Sequence, residues 1–118
     1  MKTLKNVAFS EVIGSNADGP RLVGTYAELA REVANHIPQG CNVIEMRKRL
    51  RLVESVEGVA VDASILFEDE DAKTLQHCTA SMTWAVVAKP IVEFCDAVEN
   101  MKAPEPFKAD DAEGTEQS

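Results

Sequence analysis

Apolar residues recur at spacings of three and four in four stretches of the chain. Side chains at that spacing share one face of an α-helix, so the pattern predicts four amphipathic helices that pack on a core. The predicted apolar faces of the first two helices are Tyr26, Leu29, Ala30, Val33 and Ile37, and then Val43, Met46, Leu50 and Val53. Those of the last two helices are Leu75, Cys78 and Met82, and then Val87, Ile91, Phe94, Val98 and Met101.

Capping signals define where the first two helices begin. Thr25 is followed three residues later by Glu28, and Asn42 is followed in the same way by Glu45. This spacing is typical of a capping box, in which two side chains satisfy free amides at a helix start. The sequence Pro-Gln-Gly at 38–40 ends the first helix and leaves a short link, which indicates a helical hairpin or a helix-turn-helix.

Acidic residues and a proline mark the starts of the two later helices. The run at 68–71 is entirely acidic, and carboxylates are stabilised by the positive end of the helix dipole. Pro90 suits the first turn of the last helix, because its missing N–H has no helical partner there.

Strand signals are weaker and lie in two places. Residues 59–67 are rich in β-branched residues and predict one or two strands, arranged as a hairpin or a wing. Residues 4–13 form either one strand or a docked N-terminal arm, and turn formers within 14–24 predict a loop. The predicted fold is therefore α+β and mostly helical, with about four helices and a small strand element.

The length and the charge distribution predict one domain and a tail. A chain of 118 residues suffices for one ordinary core, which we place in residues 1–102. The formal net charge is −8, and residues 103–118 carry five acids against one lysine. This segment has almost no apolar residues, so we expect a disordered acidic tail.

Candidate chemistry is sparse. Cys41, Cys78 and Cys95 are dispersed, and neither they nor His36 and His77 follow the spacing of a metal site or a thiol active site. The glycines form no phosphate-binding loop. The sequence thus predicts a protein that is not an enzyme and needs no cofactor or metal. With no apolar run of membrane length and reduced cysteines, it also predicts a cytoplasmic location without membrane association.

One cluster of basic residues allows two interpretations: Arg47, Lys48, Arg49 and Arg51. In the first, the cluster is a solvated helix face on which Arg49 pairs with Glu45 and Arg51 pairs with Glu54. In the second, it contacts DNA phosphates or base edges from a helix-turn-helix followed by a wing at 59–67. The negative net charge slows approach to DNA and favours the first interpretation.

A longer stretch resembles a group of phage proteins. It consists of TYAELAREVANHIPQGCNVIEMRKRLRLVESVEG, then ILFEDEDAKTL, then KPIVEFCDAVENM. Its layout is similar to that of small proteins of unassigned role in tailed bacteriophages of proteobacteria. The resemblance implies a phage accessory protein, meaning a regulator, an assembly factor or an inhibitor of host machinery.

Function is therefore expected to lie in binding to a protein partner. The apolar stripe of the last helix is a candidate interface, through which the chain would also self-associate: Val87, Ile91, Phe94, Val98 and Met101. The same spacing suits a helix that faces its own core, so both uses remain open. A helix-turn-helix or winged-helix DNA-binding regulator is the alternative function.

Overall fold

The computed structural model describes residues 1–13 and 20–103, and these form an α+β fold of four helices and two small antiparallel sheets. The predicted fold class is thereby confirmed. The strands are β1 (Lys2–Lys5), β2 (Ala8–Val12), β3 (Arg21–Thr25) and β4 (Ser64–Phe67). The helices are α1 (Tyr26–Asn35), α2 (Val43–Val56), α3 (Asp69–Ser81) and α4 (Lys89–Glu99).

The helices begin where the capping signals predict. Thr25 and Glu28 form the complete capping box of α1. At α2 only half of the device forms: the Asn42 side chain accepts a hydrogen bond from the Glu45 amide at 2.8 Å. The Glu45 carboxylate binds Arg49 instead. The acidic run opens α3, and Pro90 lies in the first turn of α4.

The prediction for residues 59–67 is confirmed in its single-strand form, whereas the loop predicted for residues 14–24 needs correction. Only β4 is a strand within the first segment, and it pairs with β1 at the opposite end of the chain. No hairpin or wing therefore forms there. The second segment is not all loop, since β3 occupies its end and pairs with β2. Its turn formers lie mainly at 14–19, outside the described residues.

The N-terminal segment, for which one strand or a docked arm was expected, contains two strands. It forms β1 and β2, which belong to different sheets and are separated by Asn6 and Val7. On the other edge of β1, the Thr3 amide donates to the Lys102 carbonyl at 2.8 Å. Both ends of the predicted domain therefore meet at this strand. The acidic segment after residue 103 lies outside the described residues.

The core collects apolar side chains from all four helices and the β1–β4 sheet. The largest fully buried apolar side chains include Phe67, Phe94, Leu52, Ile65 and Leu75. The stripe proposed as an interface on the last helix belongs to this core, because Ile91, Phe94, Val98 and Met101 are buried. Only Val87, before α4, is exposed, at 81%. The stripe thus faces inward and is not a free surface for self-association.

Asn6 is a buried polar residue that links three segments. Its side chain is inside the fold, with the residue 1% exposed. Its Nδ2 donates to the Val59 and Ala60 carbonyls at 3.0 and 3.3 Å, and its Oδ1 accepts from the Ala27 amide at 2.9 Å. The Val7 carbonyl accepts from the Tyr26 amide at 2.9 Å. The link between β1 and β2 therefore caps the start of α1.

We expect Asn6→Ala to lower the free energy of unfolding by roughly 2–4 kcal/mol, because one buried amide and two carbonyls lose their partner. Urea denaturation measures this change. Asn35→Ala is the matched control, since Asn35 is exposed and bonds only within α1. It should change stability by less than about 0.5 kcal/mol. Equal stability of the two variants would contradict the structural role of Asn6.

Candidate protein-binding surface on α2

The basic cluster lies entirely on α2, which packs against α1, α3 and β4. An α-helix turns by about 100° per residue, so consecutive residues of the cluster point in different directions. Leu52 and Val56 are the buried residues of this helix. A cation on the same side of the helix as Leu52 and Val56 therefore faces the core, and a cation on the opposite side faces solvent.

Arg49 is an internal residue. Its side chain is 15% exposed, and its Nε donates to Glu45 Oε2 at 3.0 Å. One terminal nitrogen of the guanidinium also lies 3.1–3.3 Å from the carbonyl oxygens of Val33, Ala34 and His36. These carbonyls lie at the end of α1, where backbone carbonyls run out of i+4 amide partners and carry partial negative charge. The Val33 carbonyl also accepts from the His36 amide at 3.3 Å. Arg49 thus caps α1 from a neighbouring helix and is not available to a nucleic acid.

Arg51 joins α2 to α3. Its Nε donates to Asp71 Oδ1 at 3.3 Å, and the Asp71 side chain is almost completely buried. The expected pair between Arg51 and Glu54 is not among the ion pairs of residues 1–13 and 20–103. Arg51 is half exposed, so part of its guanidinium still contributes charge to the surface.

Arg47 and Lys48 complete the cluster. Arg47 is exposed and Lys48 is half-buried. In the part of the chain that the structure describes, neither side chain has an ion-pair partner. The four cations therefore do not form one basic surface, because Arg49 points inward and Arg51 is bound to Asp71. The Glu45–Arg49 pair of the solvated-face interpretation is confirmed, although Arg49 is not solvated.

Large apolar side chains also lie on the exposed side of α2, beside Arg47, Arg51 and Glu54. Four large side chains are exposed there: Val43 at 58%, Ile44 at 67%, Met46 at 45% and Leu50 at 55%. Three of them had been predicted to face the core, so that prediction is wrong for Val43, Met46 and Leu50. Scattered exposed hydrophobic residues are ordinary, but several on one helix face mark an interaction site. We call these four residues the α2 surface.

Cys78 and Cys95 do not have the lowered thiol pKa of a reactive cysteine. Cys78 is 3% exposed, and burial raises the pKa of its thiol above the ordinary value. Burial raises the pKa of Cys95 as well, with the nearby Asp96 carboxylate adding to the effect. Both thiols are therefore protonated at neutral pH, where a nucleophile or metal ligand requires the thiolate.

Two cavities adjoin these cysteines. One of about 350 Å³ lies between α3 and α4 and is lined in part by Thr79 and Cys95. The Thr79 hydroxyl is buried and has no hydrogen-bond partner. The other cavity, of about 250 Å³, brings His36, His77 and Cys78 to one wall region. Within residues 1–13 and 20–103, no three histidine, cysteine or acidic side chains are grouped closely enough to hold a metal ion.

Arg49→Ala should lower the free energy of unfolding by about 1–3 kcal/mol, because Glu45 and the end of α1 lose a partly buried donor. Arg47→Ala removes an exposed cation of the same helix and should change it by less than about 0.5 kcal/mol. Chemical denaturation of the two variants measures the difference. Arg49→Lys should recover only part of the loss, since an ammonium cannot reproduce the planar fork of donors. Equal stability of Arg49→Ala and Arg47→Ala would contradict the capping role.

None of the described helices is long and apolar enough to cross a membrane. The chain matches no family model, and no curated protein or solved structure is significantly similar to it. Function is therefore inferred from the geometry of the described residues.

Proposed function

We propose that this protein is a non-enzymatic accessory protein that binds another protein through the α2 surface. The observation that carries the proposal is the exposure of four large apolar side chains on a single helix, each between 45% and 67%. Three of them, Val43, Met46 and Leu50, lie within about 60° around the helix axis. Apolar surface of this kind gains free energy when a partner removes it from water, by about 25 cal/mol per Å².

The inward side of α2 holds this surface in place. Leu52 and Val56 anchor the helix in the core, Arg49 ties it to α1, and Arg51 ties it to α3. The helix therefore does not have to fold or reorient when a partner arrives. Such preorganisation reduces the entropy cost of binding.

The chemistry around the cysteines supports a role without catalysis. The raised pKa values of Cys78 and Cys95 oppose a thiolate nucleophile. The three cysteines are free, which fits the reducing cytoplasm that we propose as the location. The resemblance to phage proteins implies a regulator, an assembly factor or an inhibitor of host machinery, and all three classes act through contacts with other proteins.

Duplex DNA is the less supported ligand. Of the four cations proposed to contact it, Arg49 is buried against α1 and Arg51 is bound to Asp71. Residues 59–63 form no strand and β4 pairs with β1, so the second helix is not followed by a wing. Arg47 and Lys48 alone give few phosphate contacts, and a chain of charge −8 opposes them.

We expect immobilised protein to retain a specific set of proteins from a proteobacterial lysate, and Leu50→Glu to abolish this retention. A carboxylate on the α2 surface cannot be buried against an apolar partner without a large cost in free energy. Val23→Glu is the matched control, because Val23 is an exposed apolar residue of β3, 70% exposed. It should retain the same proteins as the unchanged chain. Quantitative mass spectrometry of the three eluates makes the comparison.

Identical retention by Leu50→Glu and by the unchanged chain would contradict binding through α2. Circular dichroism melts should first show that both variants fold. A gel shift with duplex DNA at low salt tests the alternative ligand. Retardation that disappears in Arg47→Ala/Lys48→Ala would favour DNA binding over the proposed function.

A further inference from the structure

We infer that two copies of this chain contact each other through α2, around Leu50 of the α2 surface, with their α2 helices antiparallel across a twofold axis. The inference rests on the proposed function in one respect, that the α2 surface is a binding surface. It adds that one molecule bound there is a second copy of this chain. The pattern of charges beside the apolar residues supports this assignment.

The apolar residues of α2 follow the spacing of a helix-pairing seam. Val43, Met46, Leu50 and Val53 are separated by three, four and three residues, as in the heptad pattern of paired helices. The first three are exposed, and Val53 is partly buried against the protein's own core. The seam therefore runs along one flank of the helix, beside the solvent-facing side that carries Arg47 and Glu54, and reaches the edge of the core near Val53.

The two charged residues beside this seam are self-complementary. Arg47 and Glu54 are both exposed and lie seven residues apart on the same flank, or about 10.5 Å along the helix. Neither of them belongs to an ion pair in residues 1–13 and 20–103. Across a twofold axis, any contact between two different residues occurs twice. An antiparallel pair can therefore place each Arg47 beside Glu54 of the partner subunit.

The charges also select one register. The register with both ion pairs puts the axis near Leu50, which then packs against Leu50 and Val53 of the partner subunit. A register centred on Lys48 overlaps the whole seam, with Val43 level with Val53 of the partner subunit and Met46 level with Leu50 of the partner subunit. It also brings the two Arg47 residues to within about 3 Å of each other along the helix axis. Like charges placed in contact disfavour that arrangement. The ion pairs thus set the geometry, while the leucines supply the apolar contact.

The size of the seam predicts a weak dimer. α2 has 14 residues and a length of about 21 Å, so one helix pair buries less than the roughly 800 Å² per partner of a standard stable interface. We therefore expect a monomer at low micromolar concentration and a dimer at high micromolar concentration.

Sedimentation equilibrium of the full chain up to about 1 mM tests this inference. The unchanged protein should show a monomer–dimer equilibrium. Leu50→Glu should raise the dissociation constant at least tenfold, which corresponds to about 1.4 kcal/mol. Met46→Glu is a second variant of the same surface and should weaken the dimer less, because Met46 lies away from the axis. Val23→Glu should leave the dissociation constant unchanged.

A charge exchange tests the antiparallel register. Arg47→Glu places two acidic side chains at each contact and should weaken the dimer, whereas Arg47→Glu/Glu54→Arg restores opposite charges and should recover it. A double variant no stronger than the single one would overturn the antiparallel arrangement.

A protein that stays monomeric at every concentration would overturn the dimer, as would a dimer that is insensitive to Leu50→Glu. The proposed function would survive either result if the unchanged chain retains lysate proteins that Leu50→Glu does not retain. A dimer that forms as expected, without any lysate protein sensitive to Leu50→Glu, would refute the proposed function and leave this inference standing.

Discussion

The fold depends on the placement of Asn6. Its side chain bonds to the first turn of α1 and to the loop that leads into β4, while its backbone exchanges hydrogen bonds with Asp62 and Ala63. A buried amide of this kind stabilises a fold only when its donors and acceptors are satisfied, because an unpaired one costs free energy. The hydrogen bonds of Asn6 therefore hold the N-terminal segment next to Val59 and Ala60, which are more than fifty residues away in sequence. They also join the first sheet to α1, and α1 in turn supplies the carbonyls that hold α2.

Polar contacts on the inward side of α2 leave part of its apolar side chains exposed. Arg49 and Glu45 occupy positions that an ordinary amphipathic helix gives to hydrophobic residues, and Arg49 satisfies the end of α1 from there. Leu52 and Val56 provide the rest of the anchoring. The second apolar stripe, from Val43 to Leu50, is then not needed for packing. It becomes available for contact with another molecule.

The sequence predicted the features that neighbouring residues determine. Thr25, Asn42, the acidic run and Pro90 each act within one helical turn, and the helices begin where these residues indicate. The side of α2 that faces the core could not be predicted in this way, since the helix has two apolar stripes and the choice depends on α1 and α3. The stripe of α4 raised the same ambiguity, and packing against the rest of the fold resolved it toward the core.

Long-range pairing was the other limit of prediction from sequence. β3 directly follows turn formers and was therefore predicted as loop. It forms a strand because β2, which precedes those turn formers in sequence, supplies its hydrogen-bond partners. The role of Asn6 could not be predicted, since its partners at Ala27, Val59 and Ala60 are distant in sequence. The link from Arg51 to Asp71 was missed for the same reason, as a nearer acid at Glu54 offered an obvious partner within the helix.

The two proposed uses of the α2 surface exclude each other. A partner protein and a second copy would both cover Leu50, so binding of one displaces the other by mass action. The net charge of −8 opposes the approach of two copies, but ions screen it beyond a Debye length of about 8 Å at physiological salt. Only the short-range contacts of the seam and its ion pairs then favour the dimer. A weak dimer of this kind would cover Leu50 when no partner is present and would release it readily to a partner that buries a larger area.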